Sequence, residues 1–156
     1  MELKVRSLAR FAKVSPALVS GTIAILKKQG AINKGKIDLL HPSARALKIL
    51  LNIESLTSAK FVPEIRSIFK DCNGIGLYGS WANGTNSKDS DLDFWVKSES
   101  ESEEKSAKIS RFVKQKLGLE ASIIILTQKR LKELKEKDFV FYSMLYNCFL
   151  LWGEGI

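Results

Sequence analysis

Apolar positions in the first sixty residues recur at helical spacing. Residues 5–13 carry valine, leucine and alanine side chains on one helical face. Ser15 followed by proline is typical of a helix start, and glycine ends the apolar segment 16–29. Residues 31–40 then predict a two-stranded hairpin with a Lys-Gly-Lys tip, and a third helix follows His41.

The remainder of the chain alternates between helical and strand-like patterns. Helices are predicted over residues 61–69, 105–117, 128–137 and 139–146, and strands over residues 74–78, 91–97, 120–126 and 148–152. This order predicts an α/β (α+β) fold with a small mixed sheet.

Charge divides the chain into two parts. Residues 1–60 contain eleven Lys and Arg against three acids, so they account for all of the formal net charge of +8. Residues 61–156 contain fourteen basic and fourteen acidic residues, so their formal charges cancel. We therefore predict two domains, 1–56 and 57–156, of which the first has an affinity for polyanions.

Several classes of protein are excluded or disfavoured. No apolar run approaches the ~20 residues of a membrane-crossing helix, and the first ten residues contain no apolar signal core, so a cytoplasmic protein without membrane contact is expected. The chain has two cysteines, Cys72 and Cys148, and one histidine, His41. This content excludes a zinc site built only from cysteine and histidine and gives little support to a Cys/His nucleophile.

The first domain resembles a winged helix-turn-helix over residues 3–55. That resemblance implies contact with nucleic acid, and the cations placed to meet phosphates are Lys27, Lys28, Lys34 and Lys36. The outer face of the second helix, with Leu18, Gly21 and Ile25, has few donors for base edges. The alternative is that this apolar face forms a homodimer.

The stretch from Gly79-Ser80 to Asp93 carries the chemistry. The glycine and serine follow a predicted strand and must turn sharply, which exposes backbone amides and a hydroxyl suited to phosphate. Asp91 and Asp93 are two residues apart, so on a strand both carboxylates project from the same face. Two such carboxylates beside a phosphate site favour Mg²⁺.

A third acid would complete a two-metal site. Glu120 is the only acid in the predicted strand 120–126. Ser122 shares its face and could occupy the equivalent position, which would leave the site one ligand short.

The sequence contains Gly79-Ser80, then ten residues, then Asp91-Leu92-Asp93. This pattern is similar to the signature of the DNA polymerase β-like nucleotidyltransferases, and it is most like that of their minimal branch. The resemblance covers residues 61–156. It implies that Asp91, Asp93 and Glu120 are the catalytic and metal-binding acids, with Mg²⁺ or Mn²⁺ as cofactor and a nucleoside triphosphate as substrate. The nucleotide-binding residues that we assign by this resemblance are Gly79, Ser80, Asn83 and Ser90, where Asn83 stands at a position that is arginine in many antitoxin-type members.

Two functions are therefore expected. The first is Mg²⁺-dependent transfer of a nucleoside monophosphate, AMP in our prediction, to a hydroxyl of a partner macromolecule. The minimal branch often pairs with a small helical toxin-like protein, which is the partner that the resemblance implies. The alternative is a nucleotide-binding, DNA-binding regulator or antitoxin with weak or no turnover.

Overall fold

The computed structural model describes residues 5–38 and 40–156. Three parts of the sequence prediction lie outside what it describes: residues 1–4 of the predicted first domain, the side chain of Ala12 and position 39 of the predicted hairpin. The chain forms two compact units, Met1–Lys48 and Ile49–Ile156. Within the described ranges, none of the helices combines the length and apolar character that a membrane span requires.

The first unit contains two helices and a hairpin. Helix α1 is Val5–Ala12 and α2 is Pro16–Lys28; strands β1 (Ile32–Asn33) and β2 (Lys36–Ile37) pair antiparallel. The Leu18 amide donates to Ser15 Oγ at 3.1 Å, which confirms the predicted helix cap. Helix α3 (Pro42–Ser58) begins in this unit, and the predicted domain boundary at 56/57 falls within it.

The second unit is built around a four-stranded sheet. Its elements are α4 (Phe61–Ile68), β3 (Gly74–Leu77), α5 (Gly79–Asn83), β4 (Leu92–Lys97), α6 (Glu103–Leu117), β5 (Ala121–Leu126), α7 (Gln128–Lys137), α8 (Phe139–Tyr146) and β6 (Phe149–Gly153). The strand order is β5-β4-β3-β6, in which β4 and β5 are parallel and the other pairs antiparallel. The predicted mixed sheet is confirmed.

The two faces of this sheet bury different sets of side chains. On one face, alternate residues of β3, β4 and β5 pack with α4 and α6, as in the edge-to-face pair Phe61–Phe94 at 5.0 Å. On the other face, Trp95 of β4 packs with Leu126 of β5 and with residues of α7 and α8. Asp93 lies on this second face because it is two residues from Trp95.

Glycine at the centre of β3 has a packing reason. A Cβ on Gly76 would collide with the indole of Trp95, which is fully buried. The bare backbone therefore lets the tryptophan ring lie directly across β3. This arrangement fixes the strand that leads into the Gly79-Ser80 turn against the strand that carries Asp93.

Candidate functional site

Gly79 and Asp93 form the centre of the candidate site. Gly79 begins α5 with a φ of +66°, a left-handed conformation that glycine adopts without steric cost. A Cβ at this position would overlap the Asp93 carboxylate. The backbone of the turn and the carboxylate are therefore packed directly against each other.

The Asp93 carboxyl is half-buried between the turn and the sheet. Burial raises its pKa, a hydrogen bond from Ser122 lowers it, and the charge of Asp91 raises it, with a net increase above the ordinary value. Asp91 itself is exposed and lies just before β4 rather than within it. The structure thus brings the two predicted aspartates close enough to repel each other.

Ser122 lies opposite Asp93 in the parallel pairing of β4 and β5. The hydroxyl of Ser122 acts to lower the pKa of Asp93 and that of the buried Tyr78, against the larger effect of burial, which raises both. The sequence analysis considered Ser122 for the position of the third acid, only because alternation along a strand puts it on the same face as Glu120. It gave no role to Tyr78, whose side chain lies with Trp95 in the buried cluster of the same face.

Glu120 is not brought to the aspartate pair. It precedes β5, its backbone carbonyl accepts from the Leu92 amide at 2.9 Å, and its exposed carboxylate is ion-paired with Lys114 of α6. Helix α6 packs on the sheet face opposite to Asp93. Across residues 5–38 and 40–156, no three His, Cys, Asp or Glu side chains are grouped in a way that could hold a metal ion.

The loop between the turn and β4 is held by a buried amide pair that the sequence prediction missed. Asn52 Nδ2 donates to the Trp81 carbonyl at 2.8 Å and to Asn86 Oδ1 at 2.9 Å, and both asparagines are buried. They are 34 positions apart, so no local pattern indicates the contact. Through these bonds, α3 contacts the chain before Gly84, at Trp81, and after it, at Asn86.

Three predicted nucleotide-binding residues follow Gly79. Ser80 is half-buried and its carbonyl accepts from the Thr85 amide at 3.0 Å. Asn83, at the end of α5, is exposed. The Ser90 hydroxyl accepts from the Ser87 amide at 2.8 Å, so in this structure it closes the loop before Asp91.

The predicted nucleic-acid-binding lysines belong to the first unit. Lys27, Lys28, Lys34 and Lys36 are all exposed. The same unit carries an apolar groove of about 280 Å³ whose lining includes Leu18, Ile23 and Ile37. Leu18 is 58% exposed and Ile25 is 59% exposed, as expected for an apolar outer face of α2.

The sequence model of the Nucleotidyltransferase domain family matches residues 58–147. The comparison with curated proteins gave no match. Among solved structures, the chain is similar to a mutant of the toxin–antitoxin MntA–HpeT (TM-score 0.49, 16% identity, 61% of this chain and 72% of that chain covered) and to a toxin–antitoxin with AMP-PNP (0.49, 18%, 61% and 72%). A third is a tri-AMPylated Shewanella oneidensis HEPN toxin in complex with MNT antitoxin (0.45, 16%, 68% and 73%). Because the family match spans more than half of the sequence and contains both the Gly79-Ser80 turn and Asp91 and Asp93, this chain belongs to the nucleotidyltransferase domain family.

Proposed function

We propose that the protein transfers AMP from ATP to a hydroxyl group of a partner macromolecule in a reaction that depends on Mg²⁺. The observation that carries the proposal is the packing of the Gly79 turn against Asp93, with Asp91 beside it. A phosphate held by the turn would lie next to both carboxylates. That is the arrangement in which a divalent ion is shared between protein and triphosphate.

Asp91 and Asp93 are the residues that would hold the ion, Mg²⁺ or Mn²⁺. Two oxygen-donor carboxylates that repel each other fit a hard divalent cation, and substrate phosphates and water would complete its shell. When bound, the ion would supply charge stabilisation for the phosphoryl oxygens. The family pattern implies Glu120 as a third ligand, a role that would require its ion pair with Lys114 to open.

The protein's own groups would orient the triphosphate. Backbone amides at Gly79 and Ser80 and the Ser80 hydroxyl would donate to phosphate oxygens. Asn83 and Ser90 flank this turn on the chain and would contact the nucleotide from either end of the loop. The acceptor oxygen would then attack the α-phosphorus, the bond to the β-phosphate would break, and pyrophosphate would leave as the acceptor loses its proton.

A macromolecular acceptor is supported by the surface of α8. This helix packs through Leu145 against Trp95 and Tyr78, on the same sheet face as Asp93. Its other side exposes large apolar groups: Phe139 (64%), Val140 (82%), Met144 (44%) and Tyr146 (63%). Contiguous exposed apolar side chains of this size mark protein-interaction surfaces, so we place the partner protein here.

The test is labelling with α-labelled ATP. The purified protein alone should show almost no transfer, whereas addition of Mg²⁺ and an extract of the source cells should label a protein. The double variant Asp91→Asn/Asp93→Asn should label nothing, while Asp89→Asn, in the adjacent loop, should behave as the wild type. Efficient transfer by the purified protein to a free sugar or another small alcohol would contradict the proposal.

The second candidate is a nucleotide-binding regulator or antitoxin with weak or no turnover. The pairing of Glu120 with Lys114 favours it, because the aspartate pair then lacks a third carboxylate. On this alternative, Mg²⁺ with a triphosphate raises the melting temperature but no acceptor is labelled. Metal-dependent labelling of an acceptor would reject it.

For the first unit, we propose contact with nucleic-acid phosphates through Lys27, Lys28, Lys34 and Lys36, with a homodimer through the apolar face of α2 as the alternative. All four lysines are exposed, which phosphate contact requires. The exposed Leu18 and Ile25 support the dimer. Measurements of DNA affinity and of oligomeric state separate the two.

A further inference from the structure

Asn52 joins two parts of the segment that runs from the Gly79-Ser80 turn to Asp91. It lies on α3, within the second unit, and its side chain is buried. Its amide nitrogen donates to the Trp81 carbonyl at 2.8 Å and to Asn86 Oδ1 at 2.9 Å. The Asn86 amide nitrogen donates back to Asn52 Oδ1 at 3.4 Å. One side chain from a different element therefore holds the segment at two points.

The first point of attachment supports the helix that follows the turn. Helix α5 has 5 residues, fewer than the ~12 at which an isolated helix becomes even marginally stable, and the last carbonyls of a helix lack partners within it. The Thr85 amide donates to the Ser80 carbonyl at 3.0 Å. The carbonyl of the next residue, Trp81, accepts from Asn52. Because Trp81 is only two positions after Gly79, this bond holds α5 close to the turn.

The second point of attachment fixes the loop that leads to Asp91. Asn86 is 5% exposed, whereas residues 87–89 of the same loop are exposed. Directly after this buried anchor, the Ser87 amide donates to the Ser90 hydroxyl at 2.8 Å and closes a short turn. Asp91 is the next residue in the chain. The position of Asn86 therefore restricts where the loop places Asp91.

We propose that Asn52 is a positioning residue for the metal–nucleotide site. It acts on the Gly79-Ser80 turn through the Trp81 carbonyl. It acts on Asp91 through the Asn86 side chain. The inference rests on the proposed function, because that function assigns the turn to the triphosphate and Asp91 to the ion. Groups that hold different parts of one ligand bind it more tightly when their separation is fixed beforehand, since less ordering is then needed on binding.

This role differs from that of a buried hydrogen bond needed only for stability. Loss of such a bond lowers the free energy of unfolding but leaves the folded molecules with unchanged ligand affinity. Loss of a group that orients the groups holding a metal lowers the metal affinity of the folded molecules, typically 10- to 100-fold. Affinity measured well below the unfolding transition therefore separates the two roles.

The experiment measures two quantities for each variant of the full chain. The first is the dissociation constant of Mn²⁺ in the presence of a non-hydrolysable ATP analogue, by titration calorimetry at a temperature at which the variant is folded. The second is the melting temperature without ligand. The variants are Asn52→Ala, which removes the bonds to both parts of the segment, and Asn86→Ala, which removes the bond to the loop and keeps the one to Trp81.

The main control is Ser98→Ala. Ser98 is also buried, and its hydroxyl donates to Asp71 Oδ2 at 2.7 Å. Ser98 follows β4 whereas Asp91 precedes it, so this change lies at the other end of the strand. A second control is Ser110→Ala, because the Ser110 hydroxyl donates within α6 to the Ser106 carbonyl.

Asn52→Ala should weaken Mn²⁺ binding about 10-fold or more. Asn86→Ala should weaken it by a smaller factor, because the bond between Asn52 and Trp81 remains. Ser98→Ala should lower the melting temperature and still bind as the wild type does, and Ser110→Ala should also bind as the wild type does. If Asn52→Ala does not fold, Asn86→Ala decides.

A folded Asn52→Ala with wild-type affinity would overturn the inference and leave the proposed function in place. Where Asn52→Ala does not fold, wild-type affinity in Asn86→Ala would do the same. An equal loss of affinity in Asn52→Ala and Ser98→Ala would also count against positioning, because affinity would then follow stability and not the place of the contact. Absence of Mn²⁺–nucleotide binding by the wild-type protein would reject the proposed function, and the inference with it.

Discussion

A Cβ added to Gly79 would come within 3.0 Å of the Asp93 carboxylate oxygen Oδ2, a separation that real Cβ atoms essentially never show. The same glycine has a φ of +66°. Two independent restrictions, one on backbone conformation and one on space, therefore act on a single position. Both follow from the close approach of the Gly79 backbone to the Asp93 carboxylate.

Gly79→Ala should destabilise the fold and abolish nucleotide binding. Its matched control is Gly118→Ala, since Gly118 has a φ of +72° with nothing near the added Cβ. The control should lose about 1 to 2 kcal/mol from backbone strain alone. Gly79→Ala should lose about 1 to 3 kcal/mol more, because the aspartate must move. Urea unfolding measures both, and equal losses would show that Asp93 does not constrain this glycine.

Ser122→Asp should increase the affinity for Mn²⁺. The new carboxylate would face Asp93 across the parallel strands. A third oxygen ligand then offsets the added repulsion when the ion is present. Glu120→Gln, as the comparison, should leave the affinity near the wild-type value because Glu120 is paired with Lys114. Loss of affinity in Glu120→Gln would instead place Glu120 at the metal.

The buried pair Asn52–Asn86 should contribute to stability as a unit. Asn52→Ala leaves the Trp81 carbonyl without its donor and Asn86 without its partner, at a cost of about 1 to 3 kcal/mol. Asn86→Ala should cost a similar amount, and the double variant less than the sum. Strict additivity in a double-mutant cycle measured by urea unfolding would mean that the two amides act independently.

Stability near Asp71 should depend on pH. The pKa of Asp71 is lowered, first by the Ser98 hydroxyl, which donates to Oδ2 at 2.7 Å, with a smaller contribution from Lys105. A carboxyl with a depressed pKa in the folded state stabilises above its unfolded value of 3.8, and that stabilisation is lost as pH falls through the folded pKa. The difference in the free energy of unfolding between wild type and Ser98→Ala should therefore be larger near neutral pH than in strong acid. A difference independent of pH, as expected for the control Ser110→Ala, would contradict this.

The first unit offers a test of its two proposed roles. If its four exposed lysines contact phosphates, affinity for duplex DNA should fall steeply with salt and show little sequence preference. If the exposed face around Leu18 forms a dimer, Leu18→Glu should give monomers in sedimentation, whereas Lys27→Gln should not. If the wild-type protein is a monomer and has no affinity for DNA at low salt, both proposed roles are contradicted.

Sequence periodicity located most elements of the second unit closely. The predicted helices 128–137 and 139–146 have the bounds of α7 and α8. Helix α6 begins two residues earlier than predicted because the Ser102 hydroxyl caps it by accepting from the Lys105 amide. Strand β4 begins at Leu92, so Asp91 precedes the strand that it was predicted to open.

The candidate site was less predictable than the fold. The two aspartates were predicted to lie beside the Gly79-Ser80 turn, but the direct packing of Gly79 against the Asp93 carboxylate was not predicted. The direction of the Glu120 side chain could not be predicted, since a residue before a strand is free of the strand's alternation and Lys114 competes for its charge. The role of Asn52 depends on partners distant in sequence, which a local pattern does not contain.

The position of β3 has a consequence for the order of folding. This strand is buried along its whole length and pairs with β4 on one side and with β6 on the other. Strand β6 lies at Phe149–Gly153 and is separated from β3 along the sequence by α5, β4, α6, β5, α7 and α8. During synthesis, β3 therefore remains with one unpaired edge until β6 has emerged, and pairings between such distant segments form slowly. Closure of the sheet next to the Gly79-Ser80 turn therefore follows the synthesis of β6, and the turn acquires its final support only after residues 149–153 have been made.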